Sequence, residues 1–215
     1  MIKLPCYNEK TNVLFIHIPK NASLSISNGL DIDIKKHYPY FILEQMIPKD
    51  IIENSIKVAC VRNPWERMAS MLKYHQKKGY YPENYNLRTF INNGKQRWNM
   101  SNFDFMSQFR WCYSLETDTM NEIQEKSPND TWMDFIFNYD RLDKDWDEFR
   151  DLFRLDIPDL GMTHSSGEYS YKEEYQSSEH QYAFDLISNV QTLFADDIYF
   201  MKWEFGKKHT QKLIW

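Results

Sequence analysis

The chain has 215 residues, 42% hydrophobic and 16% aromatic, which suffices for a sizeable core and excludes a disordered protein. The net charge of −5 is uneven: residues 1–110 carry 16 basic and 9 acidic side chains, residues 111–215 carry 10 and 22. An anionic ligand is therefore expected on the first half, although no basic stripe with interleaved aromatics indicates nucleic-acid binding.

Targeting, linker and cysteine signals are weak in this sequence. No run of about 18 apolar residues occurs and the N-terminus is short and polar, so we predict a cytoplasmic protein without a membrane span. Three cysteines, Cys6, Cys60 and Cys112, lack metal-ligand spacing, and their odd number argues against a full disulfide framework. With 6 glycines and no linker, we predict a single domain over residues 1–215.

The stretch Val13–Ile26 predicts a buried strand, a polar loop and the start of a helix. Its first residues form a nearly continuous β-prone apolar run, as expected of a strand buried on both faces of a parallel sheet, and Pro19 ends that run. Small and hydroxyl residues from Asn21 onward predict a helix start whose amide groups face the loop. Together with the ammonium group of Lys20, they predict an anion site.

The Walker sequence is absent, because the lysine here precedes the small residues. The stretch resembles instead the 5′-phosphosulfate loop of sulfotransferases that use 3′-phosphoadenosine 5′-phosphosulfate (PAPS), particularly the carbohydrate-type branch related to the heparan sulfate 2-O-sulfotransferases. The resemblance implies that the cofactor is bound by Lys20, Asn21, Ala22, Ser23, Leu24 and Ser25. Leu24 departs from the pattern, since Ser or Thr is common there. The alternative is an ordinary strand-loop-helix with a surface lysine.

His37 follows the first predicted helix and precedes a short apolar segment. By residue type alone, a single histidine in such a place is more often structural or solvated than catalytic. In the sulfotransferases that the loop resembles, a histidine here acts as the general base on the acceptor hydroxyl, and the resemblance implies that role for His37. Imidazole titrates near working pH, which suits a base. Lys20 is the other catalytic residue that the resemblance implies.

Residues Ile56–Lys78 predict a second buried strand followed by an amphipathic helix. Asn63 is expected to cap this helix, with Pro64 as its first residue and Glu66 completing a capping box. Arg62 then stands at the carboxyl end of a strand, where ligands bind in open α/β sheets. The predicted buried stripe of the helix consists of Met68, Met71, Leu72 and His75.

The string V-R-N-P-x-x-R-x-x-S resembles the 3′-phosphate motif of the same sulfotransferases. There the strand-end arginine and the serine eight residues later hold the 3′-phosphate of the adenosine, which assigns Arg62 and Ser70 to cofactor binding. A guanidinium can grip a phosphate through two parallel hydrogen bonds. Arg67 either reaches the cofactor or braces the helix. The two motifs occur in the family's order, each between a strand and a helix.

The remainder of the chain carries weaker signals. Aromatic residues between Tyr80 and Lys126 predict a packed satellite cluster or, alternatively, a platform on which sugar rings stack. Trp132–Phe137 predicts another strand. Ser177–Phe205 predicts a long helix and then a closing segment, DDIYFMKWEF, which packs against the fold. The polar loop Thr163–Tyr175 corresponds to a family loop that closes over the cofactor, which implies contacts from Ser166 and Lys172. A helix is predicted after the strand at Trp132–Phe137, and its predicted buried stripe consists of Trp146, Phe149, Leu152 and Phe153.

The predicted fold is α/β: a three-layer P-loop-like fold with a central, mostly parallel sheet of about four or five strands flanked by helices. The resemblance implies transfer of a sulfuryl group from PAPS to an acceptor hydroxyl, by family default on a carbohydrate, with PAP as the product and no metal required. Two alternatives stay open, a catalytically silent domain that binds PAP or a glycan and a P-loop-like kinase. The sequence predicts no oligomeric state.

Overall fold

The computed structural model describes residues 4–34, 36–96, 103–114, 133–161, 171–176 and 180–209. The chain divides into two compact units. Unit 1 comprises Met1–Val61, Gln108–Ser165 and His209–Trp215, and unit 2 comprises Arg62–Ser107 and Ser166–Lys208. Within the described ranges, no helix is both long and apolar enough to cross a lipid bilayer. The single-domain prediction stays a prediction.

Unit 1 contains a four-stranded sheet in the order β1-β2-β3-β4. The strands are Tyr7–Asn8 (β1), Val13–Ile16 (β2), Ile56–Val61 (β3) and Phe135–Asn138 (β4). β1 is antiparallel to β2, and the other two pairs are parallel, with Val13 opposite Ile56 and Val58 opposite Phe135. The predicted α/β fold with a mostly parallel sheet flanked by helices is therefore confirmed. The carboxyl ends of β2, β3 and β4 share one edge of the sheet.

Helices account for most of the other described residues. They are α1 (Ser23–Gly29), α2 (Tyr40–Met46), α3 (Lys49–Asn54), α4 (Pro64–Lys77), α5 (Leu87–Gln96), α6 (Leu142–Phe153), α7 (Tyr171–Gln176), α8 (His180–Leu193) and α9 (Ala195–Met201). The long helix predicted before the closing segment is confirmed as α8 over His180–Leu193, and the chain after Phe194 forms the short helix α9. The sequence reasoning did not anticipate α5.

The core of unit 1 lies between one face of the sheet and helices α1 and α6. Its main members are Val13, Phe15, Ile26, Leu30, Val58, Cys60, Phe135, Phe137, Trp146 and Phe149. The predicted stripe of α6 is confirmed for Trp146 and Phe149, and Phe153 packs against it. It is wrong for Leu152, whose surface is 63% exposed. At about 100° per residue, Leu152 lies about 120° around the helix from Trp146, outside the buried face.

The last residue of α1 is a glycine because α1 and α6 approach closely there. A Cβ atom at Gly29 would lie 2.6 Å from Cζ2 of Trp146, well inside van der Waals contact. The Trp146 ring is fully buried and its Nε1 donates a hydrogen bond of 3.0 Å to the carbonyl of Pro158. The close packing of α1 on the core holds the loop that precedes it. The cysteines are buried thiols, and Cys60 packs in the core as predicted.

Unit 2 is built around α4. The indole Nε1 of Trp65 donates to the carbonyl of Ile187 on α8, and the hydroxyl of Tyr175 on α7 donates to the carbonyl of Trp65, both at 3.0 Å. The predicted stripe is confirmed for three buried residues, Met68, Met71 and Leu72. His75, at the edge of the stripe, is half-buried, and its Nε2 lies 3.2 Å from a carboxylate oxygen of Asp104.

Candidate functional site

The loop after β2 contains two residues in the left-handed backbone region. Lys20 has a φ of 70° and Ala22 a φ of 54°, one on each side of Asn21. Neither residue is glycine, and such conformations cost roughly 1–3 kcal/mol each unless the surroundings impose them. Helix α1 begins directly afterwards at Ser23, which confirms the predicted helix start. The fold therefore holds this loop in one specific, strained path.

Asn21 is the anchor of the loop. Its side chain is fully buried, and its Nδ2 donates to the carbonyl of Cys60 at 2.7 Å and to Oε1 of Gln108 at 2.6 Å. Cys60 is the penultimate residue of β3, so these bonds tie the loop to the carboxyl end of the neighbouring strand. The Asn21 side chain thus has a structural role. A ligand in the loop would meet the backbone N–H of Asn21 and not its side chain.

The other loop residues divide between structural and outward-facing groups. The hydroxyl of Ser23 donates to the carbonyl of Ile18 at 2.9 Å and closes the loop on itself. Lys20 and Ser25 are partly exposed, and the side chain of Leu24 is exposed. Because α1 has only seven residues, the full charge of Lys20, and not the helix dipole, dominates the electrostatics of the loop.

The structure brings His37 to the carboxyl end of β2. Nδ1 of His37 lies 2.9 Å from the backbone carbonyl oxygen of His17, the residue directly after β2. The two imidazole rings also stack, with centroids 3.9 Å apart and planes inclined by 26°. A carbonyl oxygen only accepts hydrogen bonds, so Nδ1 is the donor. The neutral ring of His37 therefore carries its proton on Nδ1 and its lone pair on Nε2.

His17 is a neutral partner in this pair. Its side chain is buried, and burial, together with the charge that His37 would carry, lowers the pKa of His17 to about 3, against a smaller opposing effect of a hydrogen bond with the backbone of Lys36. Loss of hydration disfavours the charged form of a buried imidazole. His17 consequently stays uncharged across the physiological range.

In unit 2, Arg62 directly follows the last residue of β3. Its side chain is 5% exposed, and its NH2 group donates to Oε1 of Glu66 at 2.7 Å. The predicted helix cap is confirmed at Asn63, whose Oδ1 accepts from the backbone N–H of Trp65 at 3.1 Å. The Glu66 carboxylate accepts from Arg62, so an anion bound by Arg62 would share the guanidinium group with Glu66. Ser70 lies within α4 and is partly exposed.

Arg67 braces unit 2 from inside. The side chain is fully buried, its NH1 donates to the carbonyl of Met106 at 3.1 Å, and the guanidinium carbon lies 5.8 Å from the centre of the Phe194 ring. Burial lowers the pKa of Arg67 to about 10, against the opposing effects of Asp197 and Asp104. Of the two roles considered for Arg67, bracing is the one that these contacts support.

Two predicted cofactor contacts come from the segment after residue 162. Ser166 lies outside the described residues. Lys172 is an exposed residue of α7, and the prediction of a loop through Tyr175 is wrong for residues 171–176, which are helical. The side chain of Tyr175 is held by its bond to Trp65, which favours helix over loop.

The aromatic segment between Tyr80 and Lys126 is mainly a packing element where the structure describes it. Its described residues include four large buried side chains, Phe105, Phe109, Trp111 and Tyr113. Their burial favours the satellite-cluster interpretation over a sugar-stacking platform for these four positions. Residues 97–102 and 115–132, which include Trp98 and Arg97, lie outside the described residues.

Sequence reasoning missed His17. It interrupts the apolar run Val13–Ile18, and a histidine in a strand that is otherwise apolar is the signal that could have drawn attention to it. The described residues place Lys20, Asn21, His17 and His37 in unit 1, and Arg62, Ser70 and Lys172 in unit 2.

Comparisons with known proteins leave the chain without an assigned family. Across the part of the chain that the structure covers, no group of three or more His, Cys, Asp or Glu side chains could hold a metal ion. No protein-family model matches the sequence, and no curated protein or solved structure matches it significantly. The motifs and the geometry at the end of β2 are therefore the features that indicate a function.

Proposed function

We propose that this protein is a sulfotransferase that moves the sulfuryl group of PAPS to an acceptor hydroxyl, with a carbohydrate as the acceptor class. The observation that carries the proposal is the hydrogen bond between Nδ1 of His37 and the carbonyl of His17. His17 precedes Lys20 by three residues, a span of at most about 11 Å along the chain. A candidate base and a fixed cation thus belong to the same end of β2.

Each step of sulfuryl transfer has a candidate group on this chain. Nε2 of His37 accepts the proton of the acceptor hydroxyl while the hydroxyl oxygen bonds to sulfur. The bond between sulfur and the bridging oxygen of PAPS breaks, and the electron pair stays on the departing 5′-phosphate of PAP. Lys20, the loop amides and the hydroxyl of Ser25 stabilise that negative charge, as fixed donors do in phosphoryl transfer. None of these roles requires a metal.

Arg62 and Ser70 are the proposed ligands of the 3′-phosphate. Support comes from the V-R-N-P-x-x-R-x-x-S string and from the position of Arg62 immediately after β3. A buried guanidinium that already binds the carboxylate of Glu66 is suited to an anion, because the charge is desolvated and held in place. The phosphate would compete with Glu66 for the same guanidinium group.

Turnover of labelled PAPS with a panel of hydroxyl acceptors tests the proposal. We expect Lys20→Ala and His37→Ala each to lower kcat by about 10²-fold or more, the usual scale for loss of a general base or a fixed charge. Lys49→Ala is the matched control in unit 1, since Lys49 is exposed and pairs with Glu53 across one helical turn. Full activity in the His37 variant would remove it from the base role.

Calorimetric titration with PAP, beside ADP and AMP, separates the proposal from its alternatives. Tight PAP binding that Arg62→Ala abolishes and Lys73→Ala retains would support the 3′-phosphate site; Lys73 lies in the same helix, exposed and paired with Glu174. PAP binding without turnover would indicate a catalytically silent domain. Binding of ATP with magnesium in preference to PAP would indicate a kinase and contradict the sulfotransferase proposal.

A further inference from the structure

We propose that His17 is a positioning residue that holds His37 in the tautomer needed for proton abstraction. The inference rests on the proposed function for its catalytic consequence, but its structural part concerns His37 alone. His17 contacts His37 in two ways: through its backbone carbonyl and through the face of its ring.

The two contacts restrain different features of the same group. The carbonyl of His17 fixes which ring nitrogen of His37 carries the proton. The stacked rings, with centroids 3.9 Å apart, limit rotation of the His37 side chain and so keep its Nδ1 at that carbonyl. A catalytic imidazole needs this support, because a small misplacement of the base costs a large fraction of the rate.

The charges around the pair favour one direction of proton transfer. Two neighbouring groups that carry charge are Lys36, adjacent to His37 in the sequence, and Lys20, three residues after His17; the ring of Phe15, 5.9 Å from His17, is neutral. Two charged imidazoles stacked 3.9 Å apart would repel each other strongly. Because His17 is buried and stays neutral, the proton taken from an acceptor remains on His37, over the face of an uncharged ring.

Two substitutions separate the contacts of His17. His17→Phe keeps an aromatic ring that can stack on His37 but replaces the imidazole. His17→Ala removes the ring and retains only the backbone carbonyl. We expect His17→Ala to lower kcat by tenfold or more, His17→Phe to lower it less, and the KM for PAPS to change less than twofold in either variant, since neither touches the proposed phosphate-binding groups.

Imidazole ¹⁵N chemical shifts of His37, recorded on the whole chain without ligand, test the inference directly. In the unsubstituted protein we expect the shifts of a ring protonated on Nδ1. In folded His17→Ala we expect the averaged shifts of mixed tautomers, because without the stacked ring the His37 side chain can rotate away from the carbonyl of residue 17. His75→Ala is the control, because His75 belongs to unit 2 and pairs with Asp104. It should leave the His37 shifts unchanged.

The outcomes of the two tests are distinguishable. Unchanged His37 shifts in both His17 variants would overturn the positioning role, whatever the activity. If the His17→Ala chain does not fold, as judged by circular dichroism, His17→Leu decides, because an aliphatic side chain fills much of the space without a ring to stack: a kcat and His37 shifts equal to those of the unsubstituted protein would overturn the inference. Altered shifts in a protein that binds no PAP would support the positioning role and contradict the proposed function.

Discussion

The candidate site of unit 1 and the centre of unit 2 bury polar groups by different means. At the candidate site of unit 1, the buried side chains of His17 and Asn21 are neutral, and the backbone carbonyls at strand ends accept hydrogen bonds from Asn21 and His37. At the centre of unit 2, the buried group is the charged Arg67, which lies near Asp197 and Asp104. Carbonyl groups inside a helix accept hydrogen bonds from N–H groups of the same helix. Arg67 donates instead to the carbonyl of Met106, which lies outside any helix.

This contrast predicts which substitutions lower the stability of the protein most. Substitution of a neutral side chain at a strand end removes one or two hydrogen bonds, and the former hydrogen-bond partners that are left behind carry no charge. A cation that is lost from the interior of a helical unit leaves carboxylates without their counter-charge. Stability should therefore respond more strongly to substitutions at the centre of unit 2, whereas activity should respond more strongly to substitutions in unit 1.

The largest expected loss of stability follows substitution of Arg67. Arg67→Ala removes the bond to Met106 and leaves buried Asp197, which also accepts from Ser107 at 2.6 Å, without the cation. We expect a loss of about 3–5 kcal/mol in the free energy of unfolding, measured by urea denaturation. Lys73→Ala in the same helix should change it by no more than about 0.5 kcal/mol, since its pair with Glu174 is partly exposed. Equal effects of the two substitutions would contradict the bracing role.

A smaller loss is expected at the anchor of the loop. Asn21→Ala removes the donor to Cys60 and Gln108 from a fully buried position, at a cost of about 1–3 kcal/mol in the free energy of unfolding. The control is Asn54→Ala, because Nδ2 of Asn54 makes an exposed bond to the carbonyl of Asp50. Because the loop path of Lys20 depends on this anchor, PAP affinity should fall with Asn21→Ala. Unchanged affinity and stability would show that the loop holds its strained path without Asn21.

The smallest effect is a pH dependence that arises from His17. Its pKa is about 3 in the folded protein and about 6.5 when unfolded, so below pH 6.5 the unfolded chain gains a proton that folded His17 does not. Between pH 7 and pH 5.5 the unsubstituted protein should lose about 1.3 kcal/mol more stability than His17→Phe. Urea denaturation at both pH values measures the difference. Equal losses would mean that His17 is protonated in the folded state.

Much of the local structure was predictable, because each signal depends on neighbours in the chain. The apolar runs at Val13 and Val58 predicted β2 and β3, and Asn63 with Pro64 predicted the start of α4. One failed prediction concerns a helix face, since Leu152 is apolar but exposed. Another concerns secondary structure, since residues 171–175 were predicted as a loop and are helical. Helix faces and polar helices are decided by what packs against them, and periodicity alone does not show that.

The sequence by itself determined strands β2, β3 and β4 with the helix after each, the motif around Lys20 and the cap at Asn63, since these follow from residue type and spacing over a few positions. Only the tertiary structure decided what each polar side chain does. It turned Asn21 inward to Cys60, paired Arg62 with Glu66, buried Arg67 and stacked His37 on His17. Most of these contacts join residues that are far apart in the sequence, and each polar side chain has several possible partners. The packing of the folded chain determines which partner lies within hydrogen-bond or stacking distance.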